Sequence, residues 1–179
     1  LAPGEPFFDA GRAYRVTEDM WNYITTPAPD GSSPDVFAWF EEQLPGPNMA
    51  EQLSFDAPMG TETVKLTNYS VRLEGVTDDV ILVAAPRDVP SSARVETLTY
   101  TSGTGTMIEL INVFSARPHK KTMVFLSTED STNGGLGIDH FLQTSEIADK
   151  VSVIISISGL GKVEAGTEQA HSLSAGVTS

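Results

Sequence analysis

The chain has 179 residues, 40% of them hydrophobic, with 11 Lys+Arg against 24 Asp+Glu and a formal net charge of −13 at pH 7. That is enough apolar material for one buried core, which excludes an intrinsically disordered chain, and the negative balance repels polyanions, which disfavours nucleic-acid binding. No apolar run is long enough to span a bilayer, and the absence of cysteine excludes disulfides, thiolate zinc sites and a cysteine nucleophile. The chain opens at Leu1 rather than Met, which reads as a processed product or an excised piece.

Taken in order, residues 7–24 carry Phe8, Ala13, Tyr14, Val16, Met20 and Ile24 at spacings near three and four, one buried face of a helix. Prolines 27 and 29 end it. Ser33 with Pro34 reads as the start of a second helix holding Val36, Phe37, Trp39, Phe40 and Leu44, stopped by Pro45-Gly46-Pro47. Residues 52–57 and 64–73 read as strands, and 74–79 as a polar turn. Val80-Ile81-Leu82-Val83-Ala84-Ala85 is a continuous apolar run, as in a strand buried on both faces of a sheet. Asn68-Tyr69-Ser70 matches the glycosylation sequon, a three-residue pattern that often arises by chance.

The second half alternates. A helix is expected over 104–116, a strand over 123–126, a helix over 138–146 and a strand over 151–157. This rhythm predicts strands and crossover helices on both faces of one sheet. The chain divides into an α/β domain over 1–161 and a polar tail over 162–179 rich in Gly, Ser and Thr.

Four stretches resemble the co-catalytic zinc aminopeptidase family, which includes secreted bacterial aminopeptidases, glutamate carboxypeptidase, glutaminyl cyclase and the transferrin-receptor ectodomain. They are Trp39-Phe40-Glu41-Glu42-Gln43-Leu44, the run from Leu73 through Asp88, the run from Thr101 through Leu110, and the run from Lys121 through Phe141. Their order and spacing carry the resemblance. It implies a three-layer αβα sandwich with a mixed, mostly parallel sheet, shortened at the C-terminus.

The resemblance also implies a chemistry: two zinc ions activate a water, and a Glu takes its proton. Residue by residue, the ligands do not carry over. Pro86 stands where the family has the His of His-x-Asp, and Asp88 is the Asp that would orient it. Leu98 takes the place of the bridging Asp, followed by Thr99 and Tyr100. Ser131 and Thr132 stand for the Glu-Glu pair, with Glu129 and Asp130 as the fallback pair if the loop has gained two residues. Ser158 stands for the next ligand Asp. Neutral hydroxyls do not replace carboxylates around a dication. No zinc or other cofactor is therefore expected, and zinc is expected only if the alternative of an active aminopeptidase holds.

Other motifs carry less. His119, His140 and His171 are dispersed and form no i, i+4 pair. No Gly-x-Ser-x-Gly elbow occurs, and Gly159-Leu160-Gly161 lacks the third glycine of a dinucleotide loop, which would fall at Glu164. Ser102-Gly103-Thr104-Gly105 reads as a loop-to-helix entry. The functional expectation is a catalytically inactive, peptidase-like extracytoplasmic domain. It would act as a protein-interaction or scaffold module, with a protein partner or membrane-complex subunits, as degenerate members such as nicastrin and nicalin do.

Overall fold

The computed structural model describes residues 7–26, 30–88, 97–129, 135–160 and 174–177, with 97–100 and 174–177 by backbone. Helix α1 spans Ala10–Thr25 and is capped by Asp9, whose carboxylate accepts the Gly11 and Arg12 N–H groups at 2.8 and 3.1 Å. Its buried residues are Ala13, Val16, Thr17 and Met20, whereas Tyr14, expected on this face, and Phe8, which precedes the helix, are exposed. Helix α2 spans Val36–Glu42 and begins later than Ser33 predicts. Asp35 is the cap, accepting the Ala38 N–H at 3.0 Å. Pro34 therefore lies outside the helix.

Strands β1 (Ala50–Met59) and β2 (Glu62–Leu73) form an antiparallel hairpin that turns at Gly60, φ +66°. Strand β3 (Thr77–Pro86) begins inside the stretch expected to be a turn, because Thr77 already pairs with Lys121 across a bulge. Strand β4 (Lys121–Thr128) lies between β2 and β3, and β5 (Val151–Ser156) lies on the far side of β3. Strand β6 (Ser174–Val177), within the stretch read as a tail, pairs antiparallel with β5. The sheet order is β1-β2-β4-β3-β5-β6. Its centre, β4-β3-β5, is parallel, and the flanking pairs are antiparallel.

Helix α3 (Thr97–Ser115) packs with α1 and α2 on one face of the sheet, and α4 (Leu136–Thr144) covers the other. The apolar run of β3 serves both faces. Val83 and Ala85 join Met20, Phe40, Met107, Ile108 and Phe125 on the first, while Val80, Leu82 and Ala84 join Val124, Leu126 and Phe141 on the second. Side chains alternate along a strand, so a strand covered twice must be apolar throughout.

Helix α3 starts seven residues before the predicted Thr104, and Ser102-Gly103-Thr104-Gly105 lies inside it. Those N–H groups belong to the helix ladder. The glycines are there for close approach. A Cβ on Gly103 would lie 2.3 Å from the Ile157 carbonyl oxygen, and one on Gly105 would lie 2.2 Å from Thr17 Oγ1. The two glycines let α3 sit directly on α1 and on the exit of β5.

Asn68 does not fit the requirements of a glycan acceptor. It is buried within β2 at 1% exposure, and its Nδ2 donates to the Gly137 carbonyl at 2.7 Å.

Candidate functional site

Parallel strands end on the same side, and open α/β sheets place their ligands at those carboxyl ends. Here Pro86 pairs with Thr128, Ala84 pairs with Ser156, and the Ile157 N–H donates to the Ala84 carbonyl at 2.8 Å. The tips of β3, β4 and β5 thus collect Pro86, Glu129 and Ser158. The first turn of α3 contains Leu98, and the Thr104 hydroxyl ties the helix to the Pro86 carbonyl at 3.1 Å.

The residues singled out from the sequence fall as follows. Pro86 closes β3 and is half-buried, and so is Asp88 two residues on. Ser158 is exposed just beyond β5. Leu98 lies in the helix and not in a loop. Glu129 follows β4 directly and is partly exposed. Asp130, Ser131 and Thr132 lie outside the described residues. His119 sits near the opposite, amino-terminal ends of the parallel strands, its Nε2 3.3 Å from the Leu73 carbonyl. His140 stacks on Phe55 with ring centroids 4.0 Å apart, on the α4 face. His171 lies outside the described residues.

Sequence reasoning passed over the residue that organises these tips. Arg87 is only 6% exposed. Its guanidinium carbon lies 3.8 Å from the centroid of the Tyr69 ring. Nη1 donates to the Ser127 carbonyl at 2.8 Å, Nη2 donates to the Thr67 carbonyl, and Nη2 lies 3.4 Å from Glu129 Oε2. The Arg87 N–H donates to the Thr128 carbonyl at 3.0 Å. Glu129 Oε2 also accepts the Thr67 N–H at 2.7 Å. Tyr69 in turn packs against Phe37 and Phe40 of α2, with centroids 5.0 and 5.4 Å away. A signal was present in the sequence. Strand alternation puts Arg87 on the same side as Val83 and Ala85, and a charge on a core-facing position calls for a partner.

Burial pushes the Arg87 guanidinium pKa down, opposed by the neighbouring Tyr69 and Glu129. Burial pushes the Tyr69 hydroxyl up, opposed by Arg87. An arginine keeps its charge under such a shift. The cluster is therefore a cation held by carbonyls, a carboxylate and an aromatic face.

The described residues do not fit a zinc pair. Among them, no group of three His, Cys, Asp or Glu is placed to hold a metal ion. Glu129 presents an oxygen already shared by an N–H and a guanidinium. The Pro86 side chain offers no ligand atom, its carbonyl is taken by the Thr104 hydroxyl, and the Ser158 side chain offers only a neutral hydroxyl. A groove of about 600 Å³ lies between α4 and the β1–β2 hairpin, bordered by Asn68, Arg72, His140 and Glu146, and its lining includes none of these strand-tip residues.

No family model matches the sequence, and no curated protein matches it. Solved structures do match. A glutaminyl cyclase from an Acidobacteriales bacterium superimposes with a TM-score of 0.71 at 17% identity, covering 90% of this chain and 62% of that one. The Porphyromonas gingivalis glutaminyl cyclase gives 0.66 at 16% identity, covering 86% and 60%. A Zn-dependent exopeptidase from Parabacteroides distasonis gives 0.62 at 14% identity, covering 88% and 64%. The chain spans about three fifths of the length of these relatives. At such identities the likeness speaks to architecture: the chain has the zinc-aminopeptidase-like α/β fold shared by glutaminyl cyclases and Zn-dependent exopeptidases.

Proposed function

We propose that this chain is a catalytically inactive, peptidase-like domain that serves as a protein-interaction or scaffold module of a larger or membrane-anchored protein on the extracytoplasmic side. The observation that carries the reading is the commitment of Glu129. A general base must present a free oxygen within reach of the water it deprotonates. The Glu129 oxygen that faces the sheet is occupied by Thr67 and Arg87. Pro86 and Ser158 add no ligand from the neighbouring tips. The extracytoplasmic placement rests on the resemblance to the secreted aminopeptidases.

Metal content and turnover test this reading together. The purified protein is expected to carry zinc well below one equivalent and to show no chelator-sensitive hydrolysis of aminoacyl arylamides. It is also expected not to cyclise N-terminal glutaminyl peptides.

A second reading is favoured by the similar solved structures, which are glutaminyl cyclases and Zn-dependent exopeptidases. It makes the chain part of an active zinc-dependent aminopeptidase or cyclase, drawing ligands from 89–96 and 130–134, Asp130 among them. Stoichiometric zinc with chelator-sensitive turnover would establish it in place of the first.

A further inference from the structure

A guanidinium is costly to bury unless its charge and its donors are all met. At Arg87 they are. The Tyr69 ring covers one face, the Ser127 and Thr67 carbonyls take the two terminal nitrogens, and Glu129 supplies the countercharge. The groups come from different places: Thr67 and Tyr69 from β2, Ser127 from β4, Glu129 from the turn after β4, and Arg87 itself from the end of β3. One cation thus ties together three neighbouring strands at the carboxyl end of the sheet. The shell around it, two carbonyl oxygens, a carboxylate and an aromatic face, is a cation seat.

We propose that the Arg87 guanidinium is a built-in cation at the strand tips that clamps Glu129 against β2. This deepens the non-catalytic reading and rests on it. The seat is selective for planar guanidinium groups. Its two carbonyls accept from the edge of a flat, multi-donor cation whose face lies on Tyr69, a geometry that a compact ammonium or a bare metal ion does not reproduce. While the clamp is closed, Glu129 Oε2 is turned to the Thr67 N–H at 2.7 Å and to Arg87 rather than to a water or a metal ion.

Amide exchange at Thr67 reads the clamp directly, since this N–H is protected by the Glu129 carboxylate. In Arg87→Ala, Thr67 is expected to exchange on the order of tenfold faster, the size of losing a charge-assisted hydrogen bond. Millimolar ethylguanidinium is expected to restore the protection, while methylammonium and zinc are expected to leave it unchanged. Glu129 is partly exposed, so Glu129→Ala keeps the fold and is expected to lose the same protection, with no response to ethylguanidinium. Unchanged Thr67 exchange in Glu129→Ala overturns the clamp. So does an Arg87→Ala protein that folds but is restored by zinc, or not restored by ethylguanidinium. Should Arg87→Ala fail to fold, the Glu129→Ala result decides alone. Chelator-sensitive turnover in the unaltered protein removes the non-catalytic reading instead, and it does so whatever the exchange data show.

Discussion

Glu109 and Arg12, ninety-seven positions apart in sequence, meet in a bidentate ion pair, with Arg12 Nε 2.5 Å from Oε2 and Nη2 2.7 Å from Oε1. Glu109 lies midway along α3 and has no exposed surface, and its Oε1 also accepts the Asp9 N–H at 3.0 Å. The carboxylate ties α3 to α1, beside the Thr101 hydroxyl that donates to the Thr17 carbonyl at 3.3 Å. Removing Arg12 leaves that carboxylate buried with a single donor. A fully buried pair broken this way costs about 3–5 kcal/mol, and Arg12 is 45% exposed, so Arg12→Met is expected to cost about 2 kcal/mol. Urea unfolding checks it, with the midpoint falling and the slope unchanged. A midpoint equal to that of the unaltered protein would show that the pair contributes nothing to holding α1.

The crossing of α1 and α3 makes a second demand, at Gly105. Alanine is the better helix former by about 1 kcal/mol. Here the added methyl would meet Thr17 Oγ1 at 2.2 Å and the Ala13 carbonyl oxygen at 2.7 Å. Overpacking of this kind costs about 1–3 kcal/mol and outweighs the gain in propensity. Gly105→Ala is expected to lower the thermal midpoint, and adding Thr17→Ala is not expected to restore it, because the Ala13 contact is with backbone. Full recovery in the double variant would place the clash on the side chain alone.

The two glycines also mark the limit of what the sequence disclosed. Local reading starts the helix only at Thr104 and takes Gly103 as its entry because glycine weakens an isolated helix, and only the neighbouring α1 and Ile157 reveal why both glycines belong inside one. The parallel centre was legible in Val80–Ala85, since a strand covered on both faces has no polar side. The cap of α2 was misplaced because Ser33 and Asp35 both carry a capping oxygen, and which one is used depends on how Trp39 and Phe40 reach the core. At the strand tips, Pro86 and Ser158 were singled out by the family resemblance, and Arg87 fell at the spacer of His-x-Asp. Its importance comes from Tyr69, Thr67 and Glu129, partners 18, 20 and 42 residues away that no local window contains.

Asp9 links the first helix to pH. Its carboxyl pKa is held below the usual 3.8, chiefly by the Arg12 N–H it accepts, with the Gly11 N–H and the charge of Arg15 acting in the same direction. A lowered folded pKa means that the carboxylate stabilises the fold at pH values above its unfolded value. The contribution disappears as pH falls through the folded value. Asp9→Ala is therefore expected to be less stable than the unaltered protein at neutral pH, with the difference shrinking once the solution is acidified below about pH 4. Thermal midpoints across an acid series check the sign. A difference that grows on acidification would mean that the cap acts through something other than its charge.

Zinc addition separates a closed strand-tip site from an open one without relying on turnover. A ligand that binds only the folded state at a hundred times its dissociation constant raises stability by about 2.7 kcal/mol. An intact zinc pair at these tips would therefore shift the thermal midpoint by several degrees, and a chelator would reverse the shift. With Pro86 and Ser158 at the tips and Glu129 held by Arg87, the midpoint is expected to be the same in zinc and in chelator. Glu129→Ala is expected to give the same null response, because freeing the seat of its carboxylate supplies no ligand. A zinc-dependent rise in the unaltered protein that Glu129→Ala abolishes would make Glu129 a metal ligand and displace Arg87 from the role argued for it.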